Sequence, residues 1–198
     1  MSSSSAQDAH PLTERLIRSA REHALDGPVI EVGTGSGRNT RALVAAGLPN
    51  VSVPDATPIT QLPGGRESYG AALSTHGYLH GASSKLRAGI AELRRVLRPG
   101  ARVFITLGSI KDARYGLGIP FDERTFAPGE GEEAGIPHAY FDRDGVIEVM
   151  LGFEVMSLEE VDVDDIVGRW AHPPAGSEQR AEDEIAGRVH WFVEARRT

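Results

Sequence analysis

Two spacings of apolar residues take turns along the chain, one helical and one strand-like. In "PLTERLIRSAREHAL", Leu12, Leu16, Ile17 and Ala20 share one helical face, and Pro11 suits the first turn. "PVIEV" is a short apolar strand closed by Gly33. "GRNTRALVAAG" predicts a helix with Leu43 and Val44 inward and Gly47 as its stop. "NVSV" is a brief strand, the proline- and glycine-interrupted "ATPITQLPGGRESYG" a loop, and "AALST" the next strand. "SSKLRAGIAELRRVL" predicts an amphipathic helix capped by Ser83 or Ser84, with Leu86, Ile90, Leu93 and Leu97 on one face and Pro99-Gly100 as its end. "ARVFITLGS" is the most strand-like stretch. A glycine-rich segment runs from Lys111 to Pro137, then "FDRDGVIEVMLG" predicts a helix. "FEVMSLEEVDV" and "RVHWFVEAR" alternate as two outer strands. Alternating βα units imply an α/β fold: a mostly parallel sheet, helices on both faces, and a C-terminal antiparallel hairpin.

Composition narrows the class. The 198 residues fit one domain over residues 11–198, behind a serine-rich tail over residues 1–10 expected to be disordered. A net charge of -7 argues against a nucleic-acid partner, which calls for a basic face. The absence of cysteine excludes disulfides, a thiolate nucleophile and a Cys-ligated metal. The first residues have neither the apolar core nor the basic start of a signal peptide, and no apolar run spans a bilayer. A cytoplasmic protein with no membrane partner is expected.

Candidate chemistry begins at the first strand. Glu31-Val32-Gly33-Thr34-Gly35-Ser36-Gly37 is an E-x-G-x-G-x-G turn between strand and helix. Glycine allows the sharp turn and lets a ligand approach the backbone, and the free N–H groups of the next helix face outward there. The dinucleotide fingerprint G-x-G-x-x-G is not matched, because its sixth position is Arg38. A tight structural turn is the alternative. Asp55 lies 22 positions after Gly33, close to the spacing at which an acidic residue on the second strand holds a ribose. An ordinary turn residue before Thr57-Pro58 is the alternative there.

"VIEVGTGSGRNT" with its helix resembles motif I of class I S-adenosylmethionine-dependent methyltransferases, a Rossmann-like family. "AALSTHGYLHG" resembles the fourth-strand segment of that family, "ELRRVLRPGARVFIT" its run into the fifth strand, and "GIPHAYFDRDGVIEVMLGFEVMSLEE" its late segment in small-molecule members. The resemblance implies a sheet ordered 3-2-1-4-5-7-6, S-adenosyl-L-methionine as cofactor and a small-molecule methyl acceptor. It places Glu31 against the cofactor's amino group, Asp55 and Ala56 at its ribose or adenosine edge, and Gly33, Thr34, Gly35, Gly37, Asn39, Ser74 and Thr75 around it. The family has two βα units between motif I and the fourth strand. This chain has room for one, so one unit is expected to be missing.

Methyl transfer asks the protein mainly to position the nucleophile and exclude water. His76, at the mouth of the fourth strand, is the first candidate base, with His138 and Tyr115 as further catalytic candidates beside Arg114 and Tyr140. Trp170 and His172 are candidate pocket covers, and Trp191 is expected under the sheet. His80 follows His76 by four residues, but no third ligand is evident, and no metal is expected. A catalytically inactive ligand- or partner-binding protein on the same scaffold is the alternative function. A nicotinamide-dependent oxidoreductase is disfavoured by the glycine spacing. With one βα unit gone, Val51 and Val53 are expected near an uncovered strand edge, which suggests a homodimer.

Overall fold

Helix α1 (Pro11–Glu22) begins where expected, but its cap comes from inside the tail. His10 is buried, and its Nδ1 accepts the Leu12 N–H, so the ordered chain starts before Pro11. The computed structural model describes residues 9–131, 133–163 and 187–198. Strand β1 (Val29–Val32) leads through the glycine turn into α2 (Arg38–Ala45), then β2 (Asn50–Val53). Strand β3 (Tyr69–Ser74) follows the proline-rich loop, and α3 (Ser83–Val96) leads directly into β4 (Leu97–Ser109). The expected helix end at Pro99-Gly100 therefore shifts: these two residues lie at the start of β4, where the ladder with β3 is irregular. The serine cap of α3 is also not made. Ala82 is the cap, and the Ser83 hydroxyl turns instead to Asp122 and Thr125.

The glycine-rich segment contains two short strands, β5 (Ile119–Asp122) and β6 (Thr125–Ala127), antiparallel to one another. Strand β7 (His138–Phe141) pairs with β6 and with the end of β4. Helix α4 (Arg143–Val149) follows, capped by Asp142, then β8 (Phe153–Asp162) and β9 (Val189–Arg197). The main sheet reads β2-β1-β3-β4-β9-β8, with β9 antiparallel to both neighbours. This is the order 3-2-1-4-5-7-6 with its first strand missing, so the shortened Rossmann-like sheet is as the sequence led us to expect.

Strand alternation sends the two faces to different helices. Ile30, Val32, Val103, Ile105 and Val193 pack with Leu86, Ile90 and Leu93 of α3 and Val146 and Val149 of α4. Val29, Leu73, Phe104 and Phe192 pack with Leu12, Leu16 and Leu43 of α1 and α2. Val44, expected inward, is 62% exposed. It follows Leu43 by one residue on a two-turn helix, and consecutive helical positions do not share a face.

The loop after β2 packs beside α3 and closes the β2 end of that core. Its Ile59 and Leu62 are buried in the α3-side core with Val53. Gly89 makes room for it, since a Cβ there would stand 2.6 Å from Ile59 Cδ1. The Leu62 N–H bonds Glu92 Oε1, and the Tyr69 hydroxyl bonds Pro63 O. The apolar basis for a homodimer on this side thus narrows to Val51, 36% exposed, because Val53 is covered by its own chain.

Candidate functional site

The chain leaves β1 for β2 on one side and returns to β3 on the other, so strand order reverses between β1 and β3. Ligands of such sheets bind beyond the carboxyl ends of the strands at this switch. There Gly33, Gly35 and Gly37 take φ of 77°, 47° and 73°, a left-handed run that glycine adopts without penalty. Gly33 is needed for a second reason: a Cβ on it would stand 2.7 Å from the Gly77 nitrogen, where the ends of β1 and β3 touch. A Cβ on Gly35 would meet nothing within 4 Å. Thr34 O accepts the Gly37 N–H, closing the turn, and the rim at Gly35 is open to a ligand.

Glu31 sits under this turn, almost wholly buried. Thr40 Oγ1 donates to its Oε2, while its Oε1 has no hydrogen-bond partner. Burial raises its pKa above the usual carboxylate value; Thr40, Asn39 and Arg38 offset part of this, and nearby Asp55 adds to it. The Asn39 amide donates to Thr75 Oγ1 and makes no hydrogen bond to Glu31 Oε1, which stays without a partner. A buried carboxylate oxygen without a donor is costly, and a cationic ligand group would relieve it.

The remaining cofactor candidates divide in two. Asp55 and Ala56 are exposed just beyond β2. The register Val32↔Val53 brings Asp55 beside the turn, with Oδ1 3.2 Å from the position of a Gly33 Cβ. Ser74, Thr75 and Asn39 are buried and bonded within the protein. Ser74 Oγ donates to Val32 O and accepts the Gly77 N–H. Asn39 accepts the His10 N–H and donates to Thr75, tying α1 and α2 to the end of β3. These side chains shape the site from beneath.

The acceptor-side candidates gather around a row of imidazoles. The His76 and His80 ring centroids lie 5.9 Å apart, and those of His80 and His138 4.8 Å apart. His76 is solvent-accessible on a crowded surface. Its crowding and the neighbouring His80 hold its pKa below the usual imidazole value, so it is neutral and able to accept a proton. His138 is buried, Nδ1 against Ile136 O at 2.8 Å. Glu133 lies between His80 and His138, 3.2 Å from each Nε2. Hydrogen bonds to these two hold its carboxyl far below the usual range. Arg114, clamped by Asp112, stands 3.9 Å from Glu133. Tyr115 is exposed, and its ring meets Tyr140 and Phe126 edge-on at 5.7 and 5.5 Å. Burial pushes Tyr140 up to about 12, so it stays a neutral phenol.

The structure thus brings His76 and His138 together through His80, with Tyr115 on the adjoining segment. Trp191 is buried and donates to Phe141 O, as expected of a residue under the sheet. Trp170 and His172 lie outside the described residues. Sequence reasoning missed Thr40 and Glu133. Thr40 follows from helical position, one turn into α2 on the side of Glu31. Glu133 is one of three glutamates in "EGEEAG", and no periodicity singles it out. A cavity of about 150 Å³ lined by His23, Asp26, Gly70 and Arg98 lies at the opposite ends of β3 and β4, remote from all these groups. We place the site by its polar groups and strand ends rather than by that cavity. Among the described residues, no helix is long and apolar enough to cross a membrane.

No family model matches the chain, and no curated protein matches it by sequence. Solved structures do. A SAM-dependent methyltransferase from Methanosarcina mazei aligns with 96% of this chain and 98% of its own, at TM-score 0.68 and 15% identity. The 1,6-didemethyltoxoflavin-N1-methyltransferase of Burkholderia thailandensis, solved with 1,6-didemethyltoxoflavin and S-adenosylhomocysteine, aligns over 95% of this chain and 79% of its own, at TM-score 0.63 and 16% identity. The cyclase SpnF aligns over 93% and 80%, at TM-score 0.52 and 18% identity. Strand order, glycine turn and these full-length alignments together show that the chain has the fold of the class I S-adenosylmethionine-dependent methyltransferases.

Proposed function

We propose that the protein transfers a methyl group from S-adenosyl-L-methionine to a small-molecule acceptor. The observation that carries this reading is Glu31: a buried carboxylate with one unsatisfied oxygen, under an open glycine turn, at the strand switch. An ammonium group is the partner that such an oxygen calls for. When bound, the cofactor supplies an electrophilic methyl on a sulfonium. Glu31 would hold its amino group, with the Gly33 to Gly37 backbone along it and Asp55 and Ala56 at its adenosine edge. Asn39, Ser74 and Thr75 keep the ends of β1, β3 and α2 in register beneath it. His76, neutral and accessible, would take the proton of an acceptor that must lose one. Tyr115 and His138 would wall the acceptor side.

The shortened sheet supports a second reading, a ligand-binding protein without methyl transfer. One strand of the usual cofactor half is missing, and the match to a cyclase is in keeping with other uses of the fold. Calorimetry with S-adenosylmethionine and S-adenosylhomocysteine separates the two first. Saturable binding of both, followed by incorporation of labelled methyl from the donor into metabolite extracts, supports the enzyme. Binding without incorporation supports the second reading, and no binding of either compound removes the first.

A further inference from the structure

The sequence offered His76 and His80 with no third ligand; the fold supplies the missing groups from a segment more than fifty positions away. We propose that His80, Glu133 and His138 bind a divalent first-row transition-metal cation, with zinc the best match to two imidazoles and a carboxylate. Their three donor atoms lie within 4.8 Å of one another. The contacts from Glu133 to the two Nε2 atoms are both 3.2 Å. Metal–ligand bonds of about 2.0–2.1 Å place neighbouring donors roughly 2.9–3.4 Å apart, so the two contacts to Glu133, one through each carboxylate oxygen, already have ligand spacing, and the remaining donors would close in around an ion.

The tautomer of His138 sharpens the argument. Its Nδ1 faces Ile136 O, and a carbonyl only accepts, so Nδ1 carries the hydrogen. In a neutral ring Nε2 is then a lone pair aimed at a carboxylate oxygen, two acceptors face to face. Two acceptors at that distance need a hydrogen or a cation between them, and a metal ion would meet both lone pairs. A ligand histidine whose other nitrogen donates to a backbone carbonyl is the usual arrangement around a bound metal. The backbone is set in advance: His80 bridges His138 in antiparallel pairing, and the Gly81 N–H bonds Pro137 O. Arg114 is the nearby cation, but Asp112 holds it in a bidentate pair that balances its charge. His80 and Glu133 are part-exposed, which leaves an entry path for the ion. Three protein ligands leave a fourth position for water or an oxygen or nitrogen donor of a small molecule, and His76 stands edge-on to the His80 ligand ring. The proposal stands apart from the methyl-transfer reading.

The test titrates zinc sulfate into chelator-treated full-length protein at neutral pH by calorimetry, with cobalt(II) absorption as the coordination readout. We expect one saturable equivalent, proton release on binding, and cobalt bands characteristic of nitrogen and oxygen ligands. Glu133→Gln and His80→Gln, both at part-exposed positions, should each weaken binding by at least about tenfold, since losing a ligand costs no less than losing an outer-shell partner, while circular dichroism stays unchanged. The proposal is overturned if no saturable binding occurs, or if Glu133→Gln binds zinc as the parent does. It is equally overturned if the imidazole nitrogen NMR signals of His138 do not move on adding equimolar zinc, since its Nε2 is then not a ligand.

Discussion

Replacing Glu31 with glutamine should improve the empty protein and damage its binding site. The substitution keeps the shape and leaves an oxygen to accept from Thr40 Oγ1, but removes a buried charge. In the parent, burial raises the pKa of Glu31, so the folded state holds its proton more tightly than the unfolded chain does. Stability is therefore full below the unfolded value of 4.5 and declines as pH rises through the raised folded value. Glutamine has no such decline, so its advantage over the parent should grow as pH rises from the unfolded value through the raised folded one. The side chain left facing the turn is then a neutral amide, which costs less to bury than an unpaired carboxylate. Binding should move the other way. One charge-assisted hydrogen bond to an ammonium is worth about 1.5–3 kcal/mol, or roughly one to two decades in Kd. Thermal unfolding of both proteins with and without S-adenosylhomocysteine reads both effects. We expect a Tm at or above the parent's without ligand and a smaller ligand-induced shift. A folded Glu31→Gln protein that binds S-adenosylhomocysteine as tightly as the parent would refute the reasoning.

Asp55→Ala should cost about 1.5–3 kcal/mol of S-adenosylhomocysteine affinity with little loss of stability, since Asp55 is exposed; unchanged calorimetric affinity would leave Asp55 a plain turn residue. Gly35→Asn keeps a residue that tolerates the left-handed backbone but fills the open rim, so affinity should fall at least about tenfold in a folded protein. Equal affinity would move the ligand elsewhere. Ile59→Ala removes the anchor of the covering loop and should destabilise by about 2–5 kcal/mol, measured by urea denaturation; a loss well under that range would mean the loop does little to cover the core. With Val53 covered, light scattering at micromolar concentration should report a monomer for the parent, and a stable dimer that Val51→Lys dissociates would restore the strand-edge interface.

The local pattern was enough to determine the layers. The run "ARVFITLGS", apolar on both faces, calls for a central strand between two layers, the helical face Leu86, Ile90 and Leu93 has one side to bury, and the fold follows both. The glycine turn was legible too, because a strand that must turn sharply into a helix needs residues free of a Cβ. Even the missing βα unit could be counted from the distance between Gly33 and Ala71. What the sequence did not carry is which polar groups meet. Val44 beside Leu43 looks equally apolar, and only packing against the sheet decides which is buried. Glu31 as a strand residue gives no sign that one oxygen is satisfied and the other is not. That depends on Thr40 arriving from α2 and on no donor reaching Oε1. Glu133 is more than fifty positions from His80, in a run with no periodicity. Its meeting with two histidines is a product of β7 docking on β4 and of the His80–His138 bridge, contacts between segments whose separation along the chain leaves no local trace.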